Sequence, residues 1–295
     1  MKYIVFECAG DMALNLMGTA VVSCLKAAHP DREIVVVTHT PEAWLHHPAV
    51  YRVYRFGALS YFYDDFIKDQ DTLVFRHSPY FSEGYAYAAK TGRHLIDIWC
   101  ELCGVTWDGA LPKLFFSDEE KSAVKAKLGI DERPIFMIQA SGGAFNQPYP
   151  ISWARDLPIS VAEEVVAEMN KRGFRTIQMR RDTQLPLAGA EWIPFTLREA
   201  MVAVQFSDKR LFVDSVGAHT AAALNLPSVV TWVTNVPEVF GYSIHTHLLP
   251  NSPLEHRHRV DSYVDAYDIA GRWHEHPYKT DRIFDAEKIL KALLG

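Results

Sequence analysis

Leu211-Phe212-Val213-Asp214-Ser215-Val216-Gly217-Ala218-His219-Thr220 passes from an apolar run to an acid, a hydroxyl and small residues, and continues into Ala221-Ala222-Ala223-Leu224. A buried strand that empties directly into a helix is the repeating step of an open α/β sheet. In such sheets ligands sit outside the carboxyl ends of the strands, where the first N–H groups of the helices are free to hold an anion. Two readings of the junction stand side by side. In one, Asp214 is a helix cap and His219 a buried, hydrogen-bonded core histidine. In the other, Gly217 and Ala218 leave the backbone open to a ligand, Ser215 donates its hydroxyl, and His219 and Thr220 lie beside the same ligand on the first turn. The run of small residues favours the second.

The same alternation extends in both directions. Apolar strand patterns are predicted at 3–6, 33–38, 51–55 and 72–75, with helices at 13–28 and 94–102 between and after them. The run Ile34-Val35-Val36-Val37 is apolar without alternation, as expected of a parallel strand covered on both faces. Ser117-Asp118-Glu119-Glu120 opens a capped helix that ends at Gly129, and 129–134 reads as a linker. Strands then recur at 135–139, 175–179, 211–213 and 228–233, with helices at 158–171, 196–206 and 214–225. The predicted fold is α/β, with two Rossmann-like doubly wound domains facing a cleft, 1–130 and 131–295. The last helix, 285–294, has an apolar face suited to packing back on the first domain.

Composition narrows the class. With 48% hydrophobic and 22% charged residues the chain is ordinary for a globular protein. A net charge of −6 argues against a broad basic surface, so no nucleic-acid partner is expected. No apolar run approaches the roughly 20 residues of a membrane span, which leaves at most peripheral membrane contact. With four cysteines and no cleavable signal pattern, a cytoplasmic, reducing location is expected. Cys100 and Cys103 form a lone C-x-x-C that closes an apolar helical pattern, and two packed thiols explain it better than a metal or redox site.

Other residues carry possible chemistry. The turn Cys8-Ala9-Gly10-Asp11 leads from the first strand to the first helix, and Asp11 reads either as an N-cap or as a reactive acid favoured there by the helix dipole. Ser141-Gly142-Gly143 follows the strand at 135–139 as a weak phosphate-loop candidate. Arg155 is placed to pair with a phosphate or with Asp156, and Arg180 and Arg181 follow the next strand either as anion ligands or as surface charge. The pairs His245/His247, His256/His258 and His274/His276 lie in segments read as loops, without a Cys or Glu set to complete a metal site. There is no G-x-S-x-G elbow and no P-loop.

Taken together, Gly10-Asp11, Leu14, Leu16, the helix ending at His29-Pro30-Asp31, and the segment Asp214, Gly217, His219, Ala221 to Leu224 and Pro227 resemble the heptosyltransferase-type glycosyltransferases over nearly the whole chain. The resemblance implies a GT-B fold with the nucleotide-sugar held mainly by the C-terminal domain. It implies an inverting, metal-independent transfer to a hydroxyl of a glycan or glycolipid, as in lipopolysaccharide or surface-glycan biosynthesis, with no cofactor beyond the nucleotide-sugar substrate. Asp11 takes the role of general base; Ser215, Gly217, Ala218, His219 and Thr220 meet the diphosphate and adjoining sugar, and Asp214 orders the loop. Two departures stand out. The family has Thr-Gly directly after the aspartate where Ser215-Val216 precedes Gly217, and a lysine in the region where Ser152-Trp153-Ala154-Arg155 stands, which makes Arg155 the substitute cation. A sugar-nucleotide epimerase or hydrolase, and a non-catalytic nucleotide- or glycan-binding protein of the same fold, are the competing expectations.

Overall fold

The computed structural model describes residues 1–77, 91–142, 155–233, 235–252, 278, 280 and 282–295. The chain divides into two compact units, one comprising Met1–Phe116 and the other beginning at Ser117.

In the first unit β1 (Lys2–Cys8), α1 (Met12–Ala28), β2 (Glu33–Thr38), β3 (Val50–Arg55), α2 (Phe62–Phe66), β4 (Asp71–His77) and α3 (Leu95–Leu102) follow in sequence, with a 3-10 turn at Pro41–Ala43. The sheet is parallel with order β3-β2-β1-β4. β1 and β2 are its central strands, and Ile4 to Phe6 and Ile34 to Val37 are buried, as their unbroken apolar runs predict. α1 lies close on β1 at Gly18, where an added Cβ would stand 2.9 Å from the Cys8 sulfur. Cys100 and Cys103 are buried free thiols at the end of α3, and burial pushes the Cys103 thiol up to about 12.

The second unit holds α4 (Asp118–Leu128), β5 (Ile135–Gln139), α5 (Ile159–Lys171), β6 (Arg175–Gln178), α6 (Leu197–Val204), β7 (Lys209–Val213), α7 (Val216–Ala223), β8 (Val229–Thr231), α8 (Pro237–Phe240), β9 (Thr246–Leu248) and α9 (Ala286–Leu294). Its sheet is also parallel, in the order β6-β5-β7-β8-β9. Strand direction of winding reverses between β5 and β7, so the switch-point crevice where α/β sheets take ligands opens at the ends of those two strands. α5 buries Val161, Ala162, Val165, Val166 and Met169 along one stripe, each valine contributing about 1.5 kcal/mol or more.

Three expectations change. The units divide at Phe116/Ser117, not at 130, because α4 belongs to the second unit. Its capping box (Ser117 with Glu120) is joined to α6 by Arg198–Glu120 at 2.8 Å, and its last turn by Lys127–Glu199 at 2.9 Å. The last helix packs within the second unit: Ile289 and Leu293 of α9 join Val161 and Val165 in one core, so its apolar face is already covered. His247 is not in a loop: it lies on β9, which pairs with β8 and sets Val230 opposite it, while His245 stands in the bend just before the strand. Among the described residues no helix is long and apolar enough to cross a membrane.

Candidate functional site

The carboxyl ends of β5 and β7 bring together most of the residues singled out from the sequence. Gly142 sits where a Cβ would meet Val213 Cγ2 at 3.0 Å, Arg155 Cβ at 3.2 Å and the Asp214 carbonyl at 3.2 Å. The segment after the β5 loop is docked there by Leu157 N–H donating to the Ala140 carbonyl at 2.9 Å, and by Gly142 N–H donating to the Asp156 carboxylate at 2.8 Å. Ser141, Gly142 and Arg155 therefore border Asp214 and Ser215. Gly143 and residues 152–154 lie outside the described residues, as do His256, His258, His274 and His276.

The residue that organises this edge is Gln139, the last of β5. Its carboxamide donates to Ser215 Oγ at 2.9 Å and accepts from the Gly217 N–H at 3.0 Å. Sequence reading passed over it, although a polar residue closing the run Ile135-Phe136-Met137-Ile138 was the available signal. Gly217 has a different duty from the one its size suggested. An added Cβ would stand 2.6 Å from Gln139 Oε1 and 2.8 Å from Phe212 Cδ1, so the missing side chain serves helix-on-strand packing. Ser215 is the N-cap of α7 in extended conformation, and Ser215 and Val216 are part-exposed while Gly217 to Thr220 are buried. The N–H groups of Ser215 and Val216 have no partner among the described residues, and with the Ser215 hydroxyl they are the donors this helix start presents.

Asp214, His219 and Thr220 point into the unit. Asp214 is 6% exposed and accepts from Asn235. His219 Nδ1 lies 2.7 Å from the Tyr242 hydroxyl, whose proton is held tightly because burial, then Asp214, pushes the phenol far above its ordinary range. His245 Nε2 lies 3.0 Å from the Ala218 carbonyl, and burial pulls this imidazole down to about 4, so it is neutral near pH 7 and donates from Nε2. His247 Nε2 reaches the Tyr242 carbonyl at 3.0 Å and its Nδ1 accepts from Trp232 Nε1–H at 3.0 Å. Thr220 is wholly buried, and its hydroxyl has no partner among the described residues. α7 is thus braced through Ala218 by the neutral His245, and among the described residues no cluster of His, Cys, Asp or Glu is arranged to hold a metal ion. Arg180 stands apart at the end of β6: one guanidinium nitrogen donates to the carbonyls of Arg181 at 2.9 Å, Asp182 at 3.2 Å and Gln184 at 3.0 Å, and the group stacks 4.3 Å over Trp192.

In the first unit the β1–α1 turn presents Asp11. Gly10 has φ +110°, which lets the chain turn sharply before the helix. Asp11 is exposed and caps α1, one carboxylate oxygen accepting from Leu14 N–H at 3.1 Å; no partner for the other is found among the described residues. The turn is fastened from below by Asn15, a second residue the sequence reading missed. Its amide donates to the carbonyls of Gly10 at 3.3 Å and Asp11 at 2.9 Å, while its oxygen accepts from Thr38 Oγ1 and from Trp44 Nε1 at 2.8 Å. Both ends of the side-chain amide are thereby used in full at a site with no exposure.

No protein-family model matches the chain, and no curated protein does. Solved structures do. The chain is similar to a glycosyl transferase of family 9 from Veillonella parvula, with TM-score 0.69 and 15% identity over 99% of this chain and 95% of that one. It is similar to the ADP-heptose lipopolysaccharide heptosyltransferase II of E. coli, with TM-score 0.62 and 15% identity over 84% of this chain and 90% of the other. A third is the dodecameric, iron-containing heptosyltransferase TibC in complex with ADP-D-beta-D-heptose, with TM-score 0.63 and 14% identity over 98% of this chain and 72% of that one. At these identities the likeness establishes the fold alone.

Proposed function

We propose that the protein is a glycosyltransferase that moves a sugar from a nucleotide-sugar donor to a hydroxyl of a glycan or glycolipid acceptor. The observation that carries this reading is the start of α7. At the switch point of a parallel sheet, a serine hydroxyl and the N–H groups of Ser215 and Val216 form a cluster of donors. A diphosphate leaving group accumulates negative charge as the anomeric bond breaks, and donors fixed in advance stabilise that charge without reorganising. Arg155, beside Gly142, supplies positive charge to the same edge. Likeness to nucleotide-sugar enzymes in fold supports the choice of donor class.

In this reading Asp11 is the general base. The carboxylate oxygen not bonded to Leu14 takes the proton of the acceptor hydroxyl as the hydroxyl oxygen attacks the anomeric carbon, the sugar–phosphate bond breaks, and the configuration inverts. No step is assigned to a metal or a cofactor. Burial of Gly217, Ala218, His219 and Thr220 gives them the task of holding the helix start, leaving ligand contact to Ser215, Val216 and the loop at Ser141 and Gly142. Asp214, tied to Asn235, fixes the turn that delivers Ser215. Arg180 orders its own loop.

The test is a thermal-shift screen against UDP-, GDP-, ADP-, dTDP- and CMP-sugars, followed by nucleotide release with the donor that binds and a glycan acceptor. Stabilisation by one nucleotide class and acceptor-dependent release support the assignment. Binding without release, with every acceptor class tried, makes the protein a binding module and ends the transferase reading. Release that proceeds equally without acceptor assigns it to donor hydrolysis.

A further inference from the structure

We infer that Gln139 is a positioning residue of the anion site, and that its carboxamide makes Ser215 a hydrogen-bond donor toward the ligand. The inference deepens the reading of α7 as a diphosphate cradle and rests on it. A serine hydroxyl has one proton and two lone pairs, and an unconstrained hydroxyl rotates to suit whichever neighbour is strongest. Here the Gln139 Nε2–H is directed at Ser215 Oγ at 2.9 Å, which occupies a lone pair and leaves the hydroxyl proton for another acceptor. The glutamine cannot be turned over. Its Oε1 is held by the Gly217 N–H at 3.0 Å, and its nitrogen also faces the Ser141 carbonyl at 3.4 Å, so a flipped amide would set oxygen against oxygen. The polarity of the whole chain is therefore fixed: the backbone of α7 orients Gln139, Gln139 orients Ser215, and Ser215 donates outward.

The same amide links the two loops that border the site. Ser141 follows β5 and Ser215 follows β7, and Gln139 is the side chain that touches both. It is 8% exposed, so its role is to position the groups that meet ligand. The contact is close, since Gly217 has no room for a methyl against Oε1.

The experiment is a double-mutant cycle on affinity for ADP, UDP and GDP, measured by titration calorimetry with the whole chain. Ser215→Ala and Gln139→Met each weaken the nucleoside diphosphate bound by wild type by about tenfold, the loss expected for one hydrogen bond to a charged group. The double variant binds no worse than the weaker single one, because both substitutions remove the same donor. Gln139→Glu guards against a folding artefact. It keeps the Gly217 N–H satisfied but in its charged form can only accept from Ser215, so it loses affinity near neutral pH and regains it in acid, where the protonated carboxyl donates in place of the amide, a recovery that a misfolded variant would not show. Additive losses in the cycle, or wild-type affinity in both glutamine variants, overturn the inference while leaving the cradle in place. Failure of wild type to bind any of the three nucleoside diphosphates overturns the cradle itself.

Discussion

Asp11 has two duties, helix cap and base, and they respond differently to substitution. Its cap is one hydrogen bond, Leu14 N–H to Oδ1 at 3.1 Å, at an exposed helix start. Replacing it with alanine costs about 1 kcal/mol, the middle of the range for such caps. In the unit Met1–Phe116 that lowers the melting point of the first unit by roughly 4 °C. Asparagine caps as well as aspartate, so Asp11→Asn leaves stability near wild type. Its amide does not accept the acceptor's proton, and transfer falls by about a hundredfold to ten-thousandfold, the usual worth of a general base. The assay pairs thermal denaturation of both variants with acceptor-dependent nucleotide release, and calorimetric donor binding serves as the control, since the proposed donor site lies wholly in the second unit. Turnover of Asp11→Asn within a few-fold of wild type refutes the assignment of the base. A stability loss in the asparagine variant equal to that in alanine refutes the separation of the two duties.

Gly217→Ala places a methyl 2.6 Å from Gln139 Oε1 and 2.8 Å from Phe212 Cδ1, and overpacking of that kind costs about 1–3 kcal/mol in denaturant unfolding. A variant as stable as wild type would mean the helix slides freely on β7. Acid should weaken the second unit through His245, whose imidazole is pulled down to about 4 from an ordinary 6.5. The unfolded chain takes up a proton first, so stability is full above about pH 6.5 and drains as pH falls toward 4, by about 3 kcal/mol in all. His245→Gln should flatten that part of the profile, which pH-dependent denaturation would measure. Asn15→Asp keeps the acceptors for Thr38 and Trp44 but turns an oxygen toward the Gly10 and Asp11 carbonyls. The new acid, buried and facing carbonyls, is protonated in the fold, so its folded pKa is raised and stability is lost as pH rises above about 4. Equal stability of this variant at pH 5 and pH 8 would contradict the described hydrogen bonding.

Where a pattern is local, the sequence and the structure agree closely. The strands at Glu33–Thr38 and Ile135–Gln139 have the bounds their apolar runs indicate, and the caps at Ser117, Thr196 and Asp285 open helices as their chemistry requires. Where a choice depends on what lies opposite, the sequence is silent. The buried face of α4 is only Val124 and Leu128, and nothing in those residues says which sheet they cover. α9 carries an apolar face that would suit either unit, and β9 is a three-residue strand fixed by its pairing with β8. The same limit governs the site. Asp11 and Ser215 stand at element boundaries and announce themselves. Gln139 and Asn15 matter because each has both ends of a carboxamide engaged by partners distant in the chain, which no local spacing reveals. Gly217 looked open to a ligand because a glycine beside a ligand and a glycine beside a phenylalanine are the same letter.

The indole of Trp44 shares the Asn15 oxygen with Thr38 and is 1% exposed. The ring is thus wired to the turn that presents Asp11, and its light emission depends on that wiring. While the knot holds, Trp44 fluoresces from a dry setting at short wavelength; when Asn15 lets go, water reaches the ring and the emission shifts to the red. The difference spectrum between wild type and Trp44→Phe therefore gives the state of the Gly10-Asp11 turn in solution, with no dye attached.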